Sequence, residues 1–173
     1  CDPLECAEAV KHCAVQKKGP VYLRIGKAGE PTFTEDAEPW KFGKLRVVRQ
    51  GTDMCILTYG VIIDLADRIA RDLDGRGHSS QLVSCHTLKP LDVNGIERIL
   101  KTFSKVIVIE EHAPQGGLGP RVKQIAWDRG ADCDIRTFSL KDEFIHNYGS
   151  REDLLAVHGL SEDQIHAGIG EIL

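Results

Sequence analysis

The stretch Lys105–Gly119, KVIVIEEHAPQGGLG, decides how the rest of the chain is read. Val106, Ile107, Val108 and Ile109 are apolar without alternation, which predicts a strand covered on both faces, in the centre of a mostly parallel sheet. Glu110, Glu111 and His112 then place ionisable groups where that strand leaves the core. Gly116, Gly117 and Gly119 permit backbone turns that side-chain-bearing residues resist, and Pro120 suits the first turn of a following helix. The ionisable cluster is therefore expected at the carboxyl edge of a central strand, the side on which open α/β sheets place ligands or partners.

On either side of this stretch the chain alternates between strand and helix patterns. Leu45–Arg49 and Met54–Tyr59 read as two strands joined by the turn Gly51-Thr52-Asp53, and the tight connection predicts that they pair antiparallel. Ile62, Leu65, Ala66, Ile69, Ala70 and Leu73 mark a helix, Gln81–Cys85 a third strand, and Ile96, Ile99, Leu100 and Phe103 a short helix entering the central strand. A helix after Pro120, a strand at Asp134–Phe138 and two small helices complete the series. The last two are marked by Ser150 with Asp153 and Ser161 with Gln164, in the spacing of a capping box. The order predicts a three-layer α/β/α sandwich with a mixed five-stranded sheet whose first strand alone runs antiparallel.

The amino-terminal part has a different character. Asp2 as N-cap, Pro3 at the first helical position and Glu5 at the capping-box position open a helix with an apolar stripe of Leu4, Ala7, Val10 and Ala14. Gly19-Pro20 ends it, and Val21–Ile25 is a short β-rich run. One helix and one strand cannot bury their apolar faces alone, so this part is expected to belong to a domain whose remainder lies elsewhere. Residues 27–43 read as a linker laid over a surface, with Phe33, Trp40 and Phe42 as anchors.

Composition limits the function classes. A formal net charge of −4 over 173 residues gives no global attraction to nucleic acid or to an anionic membrane. No apolar run approaches the roughly 20 residues that span a bilayer. The six cysteines form no CxxC pair and read as reduced, mostly buried thiols of a cytoplasmic protein.

The ordered series GPVYLRIGK, FGKLRVVRQGTD, ILTYG, LKPLD, VIVIEEH…GGLG and YGSREDLLAVHGLSEDQI resembles the carboxyl-terminal portion of transketolase-type thiamine diphosphate enzymes, above all those encoded as separate halves. It is more distantly similar to 1-deoxyxylulose-phosphate synthase and to the β subunits of 2-oxoacid dehydrogenases. The resemblance implies that residues 1–26 are the tail of a pyrimidine-binding domain and 44–173 a transketolase C-terminal domain. It implies transfer of a two-carbon ketol unit between sugar phosphates by a parent enzyme, a homodimer, that holds thiamine diphosphate and Mg²⁺ outside this sequence. The chain alone is then expected to be inactive, with no catalytic residue, and to serve subunit association and cleft closure beside its missing amino-terminal half.

Two groups of candidate residues follow. Arg24 and Lys27 match basic residues with which the family grips a phosphorylated sugar, as charge-assisted hydrogen bonds to phosphate require. Glu110, Glu111 and His112 are expected to form an interface or cleft loop, with Glu110 and His112 on one face and Glu111 on the other. The GGLG turn could present N–H groups to a phosphate, but it lacks the GxGxxG spacing and follows two glutamates, which favours a packing role. A 2-oxoacid dehydrogenase β-type fragment and a non-catalytic phosphate-, nucleotide- or partner-binding module remain as alternatives.

Overall fold

The central run of residues builds the middle of a five-stranded sheet with order β1-β3-β2-β4-β5. The strands are β1 (Arg46–Arg49), β2 (Met54–Thr58), β3 (Ser80–Ser84), β4 (Lys105–Ile109) and β5 (Asp134–Phe138). β1 runs antiparallel to β3, and the other pairings are parallel, as the sequence pattern requires. The computed structural model describes residues 1–15, 19–27 and 29–173. Residues 16–18 of the expected 1–26 segment and Ala28 of the expected linker lie outside these.

Helices cover both faces. α2 (Ile63–Gly75), α5 (Arg151–Val157) and α6 (Glu162–Gly170) pack on one side; α3 (Val93–Thr102) and α4 (Leu118–Arg129) pack on the other. The pleat explains why β2 and β4 are apolar throughout their middles: Ile56, Ile107 and Ile109 enter the core under α2, while Cys55, Leu57, Val106 and Val108 enter the core under α3 and α4. Both carboxyl-terminal helices start on the capping boxes read from the sequence, Ser150 with Asp153 and Ser161 with Gln164.

The first two strands depart from the expected hairpin. β1 and β2 are antiparallel to one another but not neighbours, because β3 lies between them. The turn after β1 leapfrogs the start of β3 instead of folding back. Gly51 makes the crossing possible: a Cβ there would sit 2.2 Å from Gln81 N and from Ser80 C. The crossing is fixed by Asp53 N donating to Ser79 O at 2.8 Å and by Ser79 N donating to the Asp53 carboxylate at 2.8 Å.

α1 (Pro3–Val15) is joined to this sandwich by polar contacts. Asp2 caps it, accepting from Glu5 N at 2.8 Å, and its second oxygen accepts from Phe33 N, Thr34 N and Thr34 Oγ1. The Glu5 side chain does not complete the expected capping box on the Asp2 amide. It is buried against β3, accepting from Ser84 Oγ at 2.9 Å and facing Arg46 at 3.5 Å. The linker anchors dock as expected: Phe33 against the α2 core, Phe42 stacked on His12 at 4.2 Å and Trp40 on His86 at 4.9 Å.

The Val21–Ile25 run is not a strand here. It pairs with no strand, and Val21, Tyr22, Leu23 and Ile25 are exposed. On the α1 stripe, Leu4 and Val10 are exposed as well. Part of the α1 stripe and the Val21–Ile25 run are thus left exposed.

Candidate functional site

The site lies where β2 and β4 end, at the point from which the following connections, α2 and α4, leave to opposite faces of the sheet. Such a crevice is where open α/β sheets bind ligands. In this chain its floor is filled from within. Glu110, the first residue past β4, is wholly buried, and each of its oxygens receives a backbone N–H from the start of α4: Leu118 N to Oε2 at 2.7 Å and Gly119 N to Oε1 at 2.8 Å.

The glycines of the GGLG turn are explained by that carboxylate. A Cβ at Gly117 would lie 2.4 Å from Glu110 Oε2, and one at Gly119 would lie 3.0 Å from Oε1 and 2.9 Å from Thr137 Cγ2. Gly117 is the N-cap position of α4 and has no side chain to cap with, so Glu110 does the capping from the neighbouring strand. A carboxylate at a helix N-terminus is also favoured by the helix dipole. The amides that a nucleotide phosphate would need are therefore already engaged.

The rest of the cluster diverges, following the alternation expected of a strand exit. Glu111 turns the other way and binds Arg151 Nη2 at 3.0 Å, and Arg151 also faces Asp64 of α2 at 3.7 Å. This ties the chain after β4 to α2 and α5. His112 engages through Nδ1 with its neighbour Ala113 O at 2.7 Å, while its carbonyl accepts from Leu140 N at 2.9 Å. Glu110, Glu111 and His112 thus have three separate sets of partners.

Tyr59 is a member of the site that sequence reasoning misses, because there it only closes an apolar strand. Its hydroxyl donates to Glu110 Oε2 at 3.3 Å. Burial pushes its phenol well above the usual tyrosine range, and the Glu110 carboxylate adds to the shift. The signal for it in the sequence is an aromatic with a polar tip at the exit of a buried strand, immediately before Gly60.

Arg24 and Lys27 are exposed, on the chain that passes the same edge. Gly26, between them, lies against the turn that follows Tyr59. A Cβ there would come within 2.6 Å of Val61 Cγ1 and 1.8 Å of Glu30 Oε1. The charge of Arg24 acts on the Tyr59 phenol and partly opposes the upward shift. The segment that carries Arg24 thus passes the turn after Tyr59, whose hydroxyl is on Glu110, a proximity the sequence does not disclose.

Among the described residues no group of three or more His, Cys, Asp or Glu side chains converges to hold a metal ion. All six cysteines are free, and Cys55 and Cys85 are buried. Among the described residues no helix is long and apolar enough to cross a membrane.

Comparison with known proteins matches the family described as transketolase, C-terminal domain, to residues 43–165. The 1-deoxy-D-xylulose-5-phosphate synthase of Halalkalibacterium halodurans is 33% identical over 166 residues, 94% of this chain and 26% of that protein. One of the subunits of the apulose-4-phosphate transketolase of Phocaeicola vulgatus is 27% identical over 166 residues, 95% of this chain and 52% of that polypeptide. A solved split-gene transketolase, described as an inactive β4 tetramer, is similar with a TM-score of 0.79 at 26% identity, covering 94% of this chain and 52% of that one. The chain thus spans about a quarter of the synthase and about half of the split-type relatives.

Proposed function

The chain belongs to the transketolase family, whose C-terminal domain spans residues 43–165, and from that premise we propose that it forms the carboxyl-terminal part of a cytoplasmic, thiamine diphosphate-dependent ketol transferase acting on sugar phosphates. In this reading residues 1–26 complete a pyrimidine-binding domain, 27–43 are the linker and 44–173 the C-terminal domain of a homodimeric enzyme. Its contribution is subunit association, closure of one side of the cleft and a grip on the substrate phosphate.

The observation that supports this reading best is the contrast between the two parts of the chain. The sheet itself is covered on both faces by helices, whereas Leu4 and Val10 of α1 and the Val21–Ile25 run have no such cover, and Arg24 and Lys27 are exposed on the same segment as that run. An exposed apolar helix face and an apolar run with no strand partner fit a sheet supplied by the rest of an enzyme. The relatives that this chain covers over half their length are described as a transketolase subunit and a split-gene transketolase. Free thiols throughout accord with a reducing compartment.

The described residues do not fit thiamine diphosphate with its divalent metal, since no donor set of three acidic, His or Cys groups converges among them. What its own residues can do is bind and shape. Arg24 and Lys27 supply charge-assisted donors for a phosphate, and the Glu111–Arg151 pair fixes the loop after β4.

The test is ketol transfer by the enzyme containing this chain, with a phosphorylated ketose as donor. Formation of the shortened aldose phosphate is expected, with a raised KM for the phosphorylated donor in Arg24→Gln; no transfer to any sugar phosphate acceptor would refute the reading. A second reading, synthesis of 1-deoxy-D-xylulose 5-phosphate, is favoured by the 33% identity to the synthase, and appearance of that product in place of ketol transfer would select it.

A further inference from the structure

We propose that the polar face of α1 is the surface through which the pyrimidine-binding part of the enzyme is held to the C-terminal domain, with Glu5 as the residue on which that contact turns. This rests on the domain reading given above, in which α1 belongs to the pyrimidine-binding part.

α1 is docked the wrong way round for a helix of this sandwich. Its apolar stripe, Leu4, Ala7, Val10 and Ala14, is exposed, while Asp2 at its cap and Glu5 in its first turn are buried. A helix of 13 residues is marginal by itself in water and is ordinarily held by its apolar face. Here polar contacts hold it to the sandwich, and the apolar stripe is left for the remainder of the domain to which α1 belongs.

Those contacts form one closed ring. Arg46 of β1 and Ser84 of β3 are register partners, and both meet Glu5: Ser84 Oγ donates to Oε2 at 2.9 Å, and Arg46 Nη1 lies 3.5 Å from Oε1. Arg46 also holds the linker, donating from Nε to Glu38 O at 2.6 Å and from Nη2 to Thr34 O at 3.1 Å. Asp2 completes the ring, accepting on one oxygen from Phe33 N, Thr34 N and Thr34 Oγ1 at 2.9, 2.8 and 2.8 Å. A buried carboxylate shared by a hydroxyl and a guanidinium is directional, so the ring fixes one seat for α1 on the sheet where apolar contact alone would tolerate several. Removing Glu5 leaves Arg46 its two linker carbonyls and β1 its pairing with β3. The sandwich therefore survives the change, and what it loses is its hold on α1.

The experiment uses the enzyme containing this chain. Amide exchange is followed by mass spectrometry on linker peptides that include Phe33 and Thr34 and on peptides of β2 and β4, in wild type, Glu5→Ala and Ser84→Ala. The Glu5 side chain bonds Ser84 and faces Arg46, not the linker amides, so exchange at Phe33 and Thr34 reports whether α1 lifts off as a unit. In Glu5→Ala it is expected to rise roughly tenfold to a hundredfold, as for a lost hydrogen bond to a charged group, with β2 and β4 within about twofold of wild type. Ser84→Ala, which alters only the sandwich side, should act in the same direction. Linker exchange unchanged in Glu5→Ala, or β2 and β4 loosened as much as the linker, would overturn the inference. A separate arm tests the domain reading. Leu4 and Leu88 are both 43% exposed in this chain, and hydroxyl-radical labelling of the enzyme should mark Leu4 much less than Leu88. Equal labelling would overturn the domain reading, and the partner named here with it, whatever the exchange shows.

Discussion

Replacing Glu110 tests the centre of the structure most severely. In Glu110→Ala the amides of Leu118 and Gly119, both buried, lose their acceptor at 2.7 and 2.8 Å. Two orphaned buried donors cost about 1–3 kcal/mol each, and removal of a buried charge returns part of that, leaving a net loss of about 2–4 kcal/mol. Glu110→Gln keeps the volume and one good acceptor, so about 1–2 kcal/mol is expected. Urea unfolding followed by circular dichroism gives both values, and amide exchange at Leu118 and Gly119 shows whether the helix start is what loosens. Because the contacts are buried, the loss should be nearly the same at low and high salt. A Glu110→Ala protein within about 0.5 kcal/mol of wild type, a range typical of surface changes, would refute the view that this carboxylate caps α4.

Three further outcomes follow from the same structure. Burial alone would raise the Asp92 carboxyl, but the amides of Gly95 and Leu45 and the Lys44 ammonium outweigh it and hold it below the usual carboxylate range. Its contribution to stability is therefore present above the unfolded carboxyl's pKa of about 3.9 and is lost as pH falls through the lower folded value; Asp92→Asn should lack that acid limb when unfolding is measured from about pH 7 to about pH 2. Gly51→Ala puts a Cβ 2.2 Å from backbone atoms that cannot yield, so a loss of about 2–3 kcal/mol is expected in urea melts, with β1 losing amide protection first. Burial pushes the Cys55 thiol up to about 12 and the Cys85 thiol well above its usual value. Iodoacetamide should therefore label them only at the rate of global unfolding, as mass spectrometry of the alkylated peptides would show.

The parts of the fold that are legible in the sequence are those set by local chemistry. The unbroken apolar run of β4 announces a doubly covered strand, and the Ser-x-x-Asp and Ser-x-x-Gln spacings announce the starts of α5 and α6, because a capping box involves residues three apart. The neighbour of β1 is not legible. Gly51 reads as a turn in either arrangement, and only the close approach of Ser80 and Gln81 reveals that the chain crosses β3. Val21–Ile25 has the composition of a strand, but pairing is a relation between segments, and here it has no neighbour.

The candidate site divides in the same way. The opposite directions of Glu110 and Glu111 follow from strand alternation, whereas their partners, Leu118, Gly119 and Arg151, come from elements joined only by folding. The position of Tyr59 beside both Glu110 and the Arg24 segment depends on three separate stretches meeting at one sheet edge, which no local pattern encodes. The spacing of Glu5 suits a capping box, but a buried hydroxyl from Ser84 and the charge of Arg46 draw it to the sheet instead.

The most direct measurement is the rate of ketol transfer between sugar phosphates by the enzyme that contains this chain, compared with the same enzyme lacking residues 1–173. Transfer that requires the chain, saturates at one chain per active site and weakens in Arg24→Gln is the predicted result. Full transfer without the chain, or none with it, would contradict the account.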